Sequence, residues 1–538
     1  MKKLLLILFI FLFTGNIAKA ITATAVASGN WSAASGVWSG GSGLGGIPGT
    51  NDSIVINTGV TVTLDINYTT SGKTTILGTG TLIIASTYTY ANSGKFILSG
   101  TASLTINSGG TVNLSGTIDS LLGIVSVSGI MEINNSVTIA QLTIANGGLW
   151  KHISGTTKIN NGSGGSDVII QSGGRYQQTV QTLIDFQSNA STKFEIQNGG
   201  VLEGKHIDHN AYPANIDGNY IWNHSAVFEM NPTASSLVMH GYVFFPGVSA
   251  STIPIYRLTA ASSIANLAGN MTINGIFECN RPNTTFVVSS VSPNIIFRNG
   301  IRGTGNLTLT YSGSGSPYFG ITGTTAVLEG TGTLTLPKAD LHVSSATTIT
   351  LTINKVLNIS TTPALGTLLI EGTMNFVGFL FTGTANVNVV SAASVSTAHT
   401  EGFSTSTSPN KGSIQVSGIR TFSSAANYEF TGSATQVTGD FTQSTTPTIN
   451  QINNLKVSNT AAGAVTMSFG FTAAGTTIVN SSCILGTAAA TFTANGAVTM
   501  NGTFKINQGG WANGSGVWNY GTTGTLYYNN TSGIYSTI

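Results

Sequence analysis

"GKFILSGTASLTINSGGTVNLSG", Gly94 to Gly116, holds three runs, KFIL, SLTI and TVNL, in which apolar side chains occupy every second position. A Ser-Gly pair follows each run, directly or after one asparagine. Alternation with a period of two is typical of a strand with one buried face, and Gly, Ser and Asn favour tight turns between such strands. We therefore predict three short strands joined by turns.

The same pattern recurs along most of the chain. It is found in Gly72–Ser86 and in Gly123–Gly148, and it returns in "GNLTLTYSGSG", "GTGTLTLPKADLHVSSATTITLTINKVLNIS" and "FTANGAVTMNGTFKINQGG". Self-similarity over such a length indicates a repeat architecture, in which each unit covers the apolar face of its neighbour.

The composition favours a chain that is almost entirely β-structured. Only 7% of the 538 residues are charged, against roughly 25% in ordinary globular domains. Exposed helix faces need the charged residues that are scarce here, whereas Thr, Val, Ile and Tyr suit a pleated sheet. The 67 glycines supply the backbone freedom that tight turns require.

Two architectures fit this pattern. Tandem β-sandwiches would give units of roughly a hundred residues with a recurring core Trp or Tyr, and no such spacing is visible. A parallel β-solenoid needs only short strands, tight turns and like residues stacked from coil to coil. Rows of stacked Thr and Asn would also satisfy its polar positions without charge. We therefore predict an all-β fold, a parallel β-solenoid (β-helix) of short stacked strands with an N-terminal cap.

The N-terminus has the features of a secretory signal peptide. Lys2 and Lys3 precede ten apolar residues, Leu4 to Phe13, and Ala18-Lys19-Ala20 offers a cleavage site. This apolar run is too short to span a bilayer. Removal of residues 1–20 takes away three lysines and changes the formal charge from +2 to −1, so we expect no nucleic-acid partner. We predict a secreted or surface-attached chain without a transmembrane segment after cleavage.

A glycine-rich stretch after the signal peptide raises the question of a phosphate-binding loop. Gly41, Gly43 and Gly46 match the pattern G-x-G-x-x-G. A dinucleotide site needs a strand before these glycines and a helix after them, with the helix N-terminus aimed at the pyrophosphate. Here Ile47-Pro48-Gly49 and a strand-like segment follow instead. We therefore predict a loop and no cofactor.

Several short elements surround this loop in a fixed order: Asn30-Trp31-Ser32, Val37-Trp38-Ser39-Gly40-Gly41, Pro48-Gly49, Asn51-Asp52-Ser53-Ile54-Val55-Ile56, Gly59 and Val62-Thr63-Leu64-Asp65. In this combination they resemble the N-terminal module of large exported, glycine- and threonine-rich surface proteins of Bacteroidetes-type bacteria. They are also similar to the glycine-rich extracellular modules called G8 domains. The resemblance implies extracellular placement ahead of a β-solenoid, and it brings no catalytic residues with it.

The same residues can be interpreted on their own. Asp52 suits the cap of a turn, and Trp31 and Trp38 have the area to cover the open end of the first coil. Either tryptophan could instead stack on a sugar ring. We predict a Trp/Gly-rich cap module over residues 21–66 and a β-solenoid over residues 67–445.

A second tryptophan pair lies near the C-terminus. Trp511 and Trp518 repeat the spacing of Trp31 and Trp38, and both pairs end in Ser-Gly-Val-Trp. The strand pattern restarts after residue 445, which predicts a second solenoid block over residues 446–538. Because this block stops within strand-like sequence, we expect it to be truncated.

Polar residues cluster between Glu203 and Met230. Three of the seven histidines, His206, His209 and His224, lie here and are the candidates for a metal site. On one strand, His206 and His209 would point to opposite faces, and zinc needs three or four convergent ligands. We therefore predict an elaborated loop or a row of exposed polar residues, without a metal.

The same segment offers a carboxylate pair. The separation of Asp208 and Glu229 in the sequence is close to one inferred coil, and stacked coils lie about 4.8 Å apart. Two carboxylates at that separation could serve as nucleophile and acid on a glycosidic bond. Lys205 and Arg281 could act as base or charge partner in a lyase.

The two cysteines, Cys279 and Cys483, are far apart in the sequence. In an oxidising compartment they could form a disulfide. The alternative, which we favour, is that each is a small, buried apolar residue.

The sequence favours a secreted or cell-surface scaffold with an adhesin-like or glycan-binding role and no catalysis. The candidates for contact with a polysaccharide or cell-surface glycan are Trp31, Trp38, Tyr212 and Trp222. The alternative is a β-helix carbohydrate-active enzyme, a polysaccharide hydrolase or lyase, with its site near residues 203–230. The adjacent aspartates and the Gly-His-Gly of the better-known β-helix hydrolases do not occur in this sequence.

Overall fold

The fold is given by a computed structural model. It describes residues 21–33, 36–160, 166–179, 184–186, 191–204, 219–230, 236–239, 243–245, 248–259, 264–267, 269–288, 294–311, 318–330, 333–335, 341–345, 347–350, 358–360, 367–376, 381–383, 386–404, 411–439, 451–460 and 464–529. The predicted signal peptide, residues 1–20, lies outside them. The chain divides into two compact units, Met1–Asn231 and Pro232–Ile538.

Both units are parallel β-solenoids, as the alternating pattern predicts. Each coil contributes short strands to three sheets, and a strand pairs in parallel with the strands at the same position in the coils before and after it. Thr61 pairs with Thr81, and Thr81 pairs with Ser103, so successive coils differ slightly in length. Neighbouring strands lie about 4.8 Å apart, and this distance sets the rise of each coil.

The strands of the first unit fall into three sheets. The first sheet contains Thr22–Ala25, Ser53–Ile56, Thr74–Ile76, Phe96–Leu98, the beginnings of Ile118–Val127 and Val137–Ile144, Thr157–Ile159 and Ile184–Asp185. The second sheet contains Gly29–Asn30, Thr61–Leu64, Thr81–Ile84, Ser103–Ile106, the ends of Ile118–Val127 and Val137–Ile144, Val168–Ile170, Phe194–Ile196 and Tyr220–Trp222. The third sheet contains Tyr68–Thr70, Thr89–Asn92, Thr111–Leu114, Ile130–Ile133, Leu149–His152, Arg175–Gln178, Val201–Gly204 and Val227–Met230.

Two further elements lie near the start of the first unit. Trp38–Ser39 pairs with Thr22–Ala25 in an antiparallel manner, and Leu44–Gly46 forms one 3-10 turn. In the part of the chain that the structure describes, no helix has the length and apolar character needed to cross a membrane.

The second unit is built in the same way. Its first sheet runs in two sections, Ser236–Met239, Ile264–Leu267, Asn283–Val288, Asn306–Tyr311, Thr333–Thr335, Asn358–Ser360, Phe381–Gly383 and Ile414–Val416, then Gln436–Val437, Val465–Thr466, Ile484–Gly486, Thr503–Asn507 and Thr525–Asn529. Its second sheet also runs in two sections, Val243–Phe244, Met271–Ile273, Asn294–Phe297, Tyr318–Ile321, Leu341–Val343, Thr367–Ile370, Asn386–Val389 and Arg420–Phe422, then Gln451–Ile452, Phe471–Ala473, Thr491–Ala494 and Trp511–Asn513. Its third sheet contains Ile255–Leu258, Ile276–Cys279, Gly300–Gly303, Thr325–Gly330, Thr348–Thr350, Thr373–Asn375, Ser394–Thr397, Asn427–Phe430, Leu455–Val457, Thr477–Val479, Val498–Met500 and Trp518–Tyr520.

The core of the first unit consists of like side chains stacked from coil to coil. One inward position of the second sheet carries a row of seven fully buried aliphatic residues, Leu64, Ile84, Ile106, Val127, Ile144, Ile170 and Ile196. Burial of one such side chain contributes about 1.5–3 kcal/mol. Because each member of the row is covered by the members on either side, alternation in the sequence is sufficient to define the buried face.

Three successive corners between the third and first sheets are occupied by glycine, at Gly72, Gly94 and Gly116. A Cβ atom on Gly94 would lie 2.3 Å from the carbonyl oxygen of Gly72, and one on Gly116 would lie 1.9 Å from the carbonyl oxygen of Gly94. Larger residues do not fit, because backbone stacks directly on backbone here. Buried Asn92 completes the corner from inside, since its Oδ1 accepts a hydrogen bond from the amide of Gly94 at 2.6 Å.

His152 is buried and lies three coils after Asn92, at the same inward position of the third sheet. His152 Nε2 lies 3.0 Å from the carbonyl oxygen of Asn135, and its Nδ1 lies 2.8 Å from Oγ1 of Thr157. A carbonyl can only accept, so Nε2 carries the proton, and Nδ1 of the neutral ring accepts from Thr157. Burial lowers the pKa of His152.

We predict that His152 makes the first unit less stable as the pH falls below about 6.5, the ordinary pKa of histidine. Because folding lowers the pKa of His152, the unfolded chain takes up a proton first. The stabilising contribution of the neutral His152 ring is therefore full above the pKa that the residue has in the unfolded chain. It is lost as the pH falls toward the pKa in the folded protein, by up to about 1.4 kcal/mol per pH unit. His152→Gln should make this slope shallower in urea unfolding of the mature protein between neutral and mildly acidic pH; part of the slope should remain, because burial also lowers the pKa of His399.

The exposed His224 provides the matched control, since His224→Gln should leave the slope unchanged. The assignment would be contradicted by a slope that is as steep in His152→Gln as in the wild type.

Candidate functional site

The N-terminal glycine-rich stretch is a loop held by a buried carboxylate. Asp52 is buried, and its Oδ2 accepts hydrogen bonds from the amides of Ser42 and Gly49, both at 2.7 Å. Burial acts to raise the pKa of Asp52, but the hydrogen bonds from Gly49 and Ser42 outweigh it and the pKa lies below its usual value. Strand Ser53–Ile56 follows where a nucleotide site would need a helix. Asp52 thus caps a structural loop.

The first tryptophan pair lies inside the protein. Trp31 is fully buried and Trp38 is 6% exposed. The ring of Trp31 lies 4.8 Å from that of Trp38 and 4.7 Å from that of Tyr68, and Trp38 Nε1 donates a hydrogen bond to the carbonyl oxygen of Trp31 at 3.0 Å. Neither ring offers an open face on which a sugar could stack.

The second pair has the same spacing but a different setting. Trp511 is 46% exposed and stands in register with Thr491 on an outer face. Trp518 is half-buried against Phe504, with ring centroids 5.1 Å apart. Trp511 points outward from its strand, so its side chain is exposed. The two tryptophan pairs therefore have similar sequences but different structural environments.

The residues predicted around the histidine-rich segment are only partly described. His224 is exposed in a turn. Trp222 is half-buried, and its ring lies 5.8 Å from that of Tyr220 and 6.1 Å from that of Phe228. Among the described residues, no group of three or more His, Cys, Asp or Glu side chains could hold a metal ion. Five of the predicted residues lie outside the described ranges, namely Lys205, His206, Asp208, His209 and Tyr212.

Glu229 stands in register with another glutamate. Strand Val201–Gly204 pairs with Val227–Met230, and this pairing sets Glu203 beside Glu229. One coil therefore runs from Glu203 to Glu229 here, and the shorter coil on which the pairing of Asp208 with Glu229 rested does not hold at this point. Only the strands must stay in register from coil to coil, so the segments that connect them can differ in length.

Arg175 holds these two glutamates together. Its Nη1 lies 2.5 Å from Oε2 of Glu203, and its Nη1 and Nη2 each lie 3.2 Å from an oxygen of Glu229. Gln177 donates to Glu203 at 2.9 Å and 3.1 Å. Burial acts to lower the pKa of Arg175, but Glu229 and Glu203 outweigh it and raise the pKa. We call these four residues the Arg175 cluster.

The Arg175 cluster has the chemistry of a structural ion network. Glu203 and Glu229 are 1% and 7% exposed, and both carboxylates are bound by the same guanidinium. General acid catalysis on a glycosidic bond needs a carboxyl group that can give its proton to the substrate. A shared cation instead ties three successive coils through charge-assisted hydrogen bonds.

Charged side chains also line the outer face of the third sheet elsewhere, where we expected uncharged rows of Thr and Asn. In the first unit, Lys151 lies 2.7 Å from its in-register neighbour Glu132. In the second unit, a row runs through Arg257, Glu278, Arg302 and Glu329. Unequal coil lengths hide these rows in the sequence, so periodicity alone could not find them.

In the second unit, this outer face forms a shallow groove of about 270 Å³. We call it the third-sheet groove. Its polar centre is the pair of Lys456 and Glu429, whose Nζ and Oε1 atoms lie 2.9 Å apart. The lining residues are Thr373, Asn375, Ser394, Val395, Ser396, Asn427, Tyr428, Glu429, Asn454, Leu455, Lys456, Thr476 and Ile478.

Hydrogen bonds along one edge hold the amides of the groove in place. Asn427 Oδ1 accepts from Nδ2 of Asn453 at 3.0 Å and from Nδ2 of Asn454 at 2.7 Å. Asn454 Oδ1 in turn accepts from the amide of Thr476 at 2.7 Å. This row crosses successive coils, so the donors and acceptors of the groove recur with the rise of the solenoid.

Cys279 and Cys483 are both free and buried. The interpretation as small core residues is confirmed, and the alternative of a disulfide between them is wrong.

Comparison with known proteins gives no family for this chain, since no family model and no curated protein matches it.

We predict that Arg175→Met destabilises the first unit, because it leaves Glu203 and Glu229 buried side by side without their cation. Loss of one partner from a fully buried pair costs about 3–5 kcal/mol, and we expect about 1–3 kcal/mol here since the Arg175 side chain is 34% exposed. Urea unfolding and hydrogen exchange of Val201–Gly204 measure this loss.

The matched control is Lys151→Met, which breaks the more exposed pair with Glu132 and should cost less than about 1 kcal/mol. Glu229→Gln added to Arg175→Met should restore part of the stability. Equal losses in Arg175→Met and Lys151→Met would rule out a special role for the cluster.

Proposed function

We propose that this protein is an exported β-solenoid scaffold that binds polysaccharide in the third-sheet groove, as an adhesin-like or glycan-binding surface protein. The observation that carries the proposal is the set of polar groups in this groove, where amide, hydroxyl, carboxylate and ammonium groups from five neighbouring strands stand among apolar side chains. Sugar hydroxyl groups both donate and accept hydrogen bonds, and each of these lining groups can serve them.

The polar side chains of the groove are already held in place, which favours binding of a ligand without rearrangement. The Asn427 and Asn454 amides and the Lys456–Glu429 pair are already held by neighbouring side chains. Groups held in this way lose little conformational entropy when a ligand binds. A shallow face repeated from coil to coil suits an extended polymer better than a compact molecule, which usually needs a deep pocket that encloses most of its surface.

Placement outside the cell is supported by the signal-peptide features of residues 1–20 and by the resemblance of residues 30–65 to exported surface proteins. The low content of charged residues also suits a repeated scaffold in which polar side chains form hydrogen bonds with those of neighbouring coils.

The alternative of a carbohydrate-active enzyme near residues 203–230 has less support. Glu229, one half of the predicted carboxylate pair, is held by Arg175 together with Glu203. Both carboxylate oxygens of Glu229 are bound by Arg175, so this side chain would have to leave its cation to act on a glycosidic bond.

The proposal is tested by retention of the mature protein on a panel of immobilised polysaccharides, with analysis of released sugars. We expect retention on at least one polymer without released products. Lys456→Met and Asn427→Ala should each weaken that retention about tenfold, which is the effect of losing one to two hydrogen bonds to the ligand.

Asn388→Ala is the matched control, since Asn388 is a half-buried asparagine on the second sheet of the same unit and should leave retention unchanged. The proposal fails if no polymer retains the protein, or if the groove variants bind as well as the wild type. Released sugars that depend on Glu229 would favour the enzyme.

A further inference from the structure

Arg281 is a buried cation, and two of its three side-chain nitrogens have no acceptor among the described residues. It lies at the corner between Ile276–Cys279 and Asn283–Val288, and it is 5% exposed. Within the described ranges, no acceptor lies within hydrogen-bond distance of its Nε or its Nη1. A guanidinium carries five N–H donors, and burial of such donors without partners is costly.

The thiol beside Arg281 does not supply the missing negative charge. Cys279 is 2% exposed, and its Sγ lies 3.6 Å from Oγ1 of Thr284. Burial raises the pKa of Cys279 and outweighs the opposite effects of Thr284 and Arg281. The thiol therefore stays neutral at neutral pH. Burial also lowers the pKa of Arg281, but from a value so high that the guanidinium keeps its charge.

The nearest acid in the sequence is already engaged. Glu278 alternates with Cys279 along the strand and belongs to the outer row of the third sheet. It binds Nε of Arg257 through one oxygen and Arg302 through the other, at 2.6 Å. Burial acts to raise the pKa of Glu278, but the two arginines outweigh it and lower the pKa. Both carboxylate oxygens of Glu278 are therefore already bound by other arginines, and Glu278 does not serve as the partner of Arg281.

The local sequence carries a surplus of positive charge. Four of the six arginines of the chain, Arg257, Arg281, Arg298 and Arg302, fall between residues 257 and 302, where Glu278 is the one acid. In a chain with 7% charged residues, such a concentration of one sign is a distinct feature. A guanidinium group donates charge-assisted hydrogen bonds to the oxygens of a sulfate, phosphate or carboxylate group, often two at a time.

We propose that this corner of the second unit binds an oxyanion, of the kind present in a sulfate, phosphate or carboxylate group, with Arg281 as its principal contact. The corner lies at the surface, since Asn280 and Pro282 on either side of Arg281 are exposed. Thr284, which is also buried, adds a hydroxyl group at the same corner. The site is separate from the third-sheet groove and does not depend on the proposed polysaccharide binding.

Thermal unfolding of the mature protein in millimolar sodium sulfate, at constant ionic strength, tests this site. A ligand that binds the folded state raises the unfolding midpoint as its concentration exceeds the dissociation constant. We expect such a rise in the wild type and none in Arg281→Met. Without sulfate, Arg281→Met should be at least as stable as the wild type, because the substitution removes an uncompensated buried charge.

Arg298→Met is the matched control. Arg298 is half-buried and donates to the carbonyl oxygen of Val248 at 3.3 Å, so its replacement should lower the midpoint slightly and leave the response to sulfate intact. The proposal is overturned if sulfate stabilises Arg281→Met as much as the wild type. It is also overturned if Arg281→Met is less stable than the wild type by the same amount at every sulfate concentration, which is the behaviour of a purely structural arginine.

Calorimetric titration then separates two sources of the anion. Sulfate affinity should fall at least tenfold in Arg281→Met. If a carboxylated oligosaccharide displaces sulfate from the wild type while its uncharged counterpart does not, the site takes the acidic group of a glycan. If the oligosaccharide does not displace it, the site takes a small inorganic oxyanion. Absence of binding by both ligands overturns the proposal.

Discussion

The structure depends on one constraint, the parallel pairing of each strand with the strand one coil away. This pairing places equal positions of successive coils about 4.8 Å apart, so every feature of one coil meets its counterpart in the next. Apolar positions become the buried aliphatic rows, and corner glycines allow carbonyl groups to stack. Charged positions on the third sheet become rows of ion pairs, of which the Arg175 cluster joins three coils.

The sequence predicts the buried faces well, because they depend only on local alternation. Leu104 and Ile106 are inward and Thr105 is outward, as the run SLTI indicates. Coil length is different, since the strands alone must keep register and the sequence between them can vary. For this reason Glu229 stands in register with Glu203, and the separation of Asp208 and Glu229 in the sequence does not measure the coil at this point.

The setting of single residues also lies beyond the local pattern. Trp31 and Trp511 occupy similar sequences, yet one is fully buried and the other is 46% exposed, because Trp31 lies in the turn after strand Gly29–Asn30 whereas Trp511 begins strand Trp511–Asn513 at an outward position. Arg281 shows the same limit. Nothing in Cys279-Asn280-Arg281-Pro282 indicates a buried guanidinium, which results from the coils stacked on either side of the corner.

The register of the coils is the claim on which both proposed sites rest, and oxidative cross-linking tests it most directly. The half-buried outward residues Thr63 and Ile83 are in register, whereas Thr81 is in register with Thr61. Parallel neighbours about 4.8 Å apart lie within the range that a disulfide can bridge, whereas diagonal neighbours about 7–8 Å apart do not. Thr63→Cys with Ile83→Cys should therefore cross-link faster than Thr63→Cys with Thr81→Cys. Equal rates, or faster cross-linking of the second pair, would contradict the stacked register.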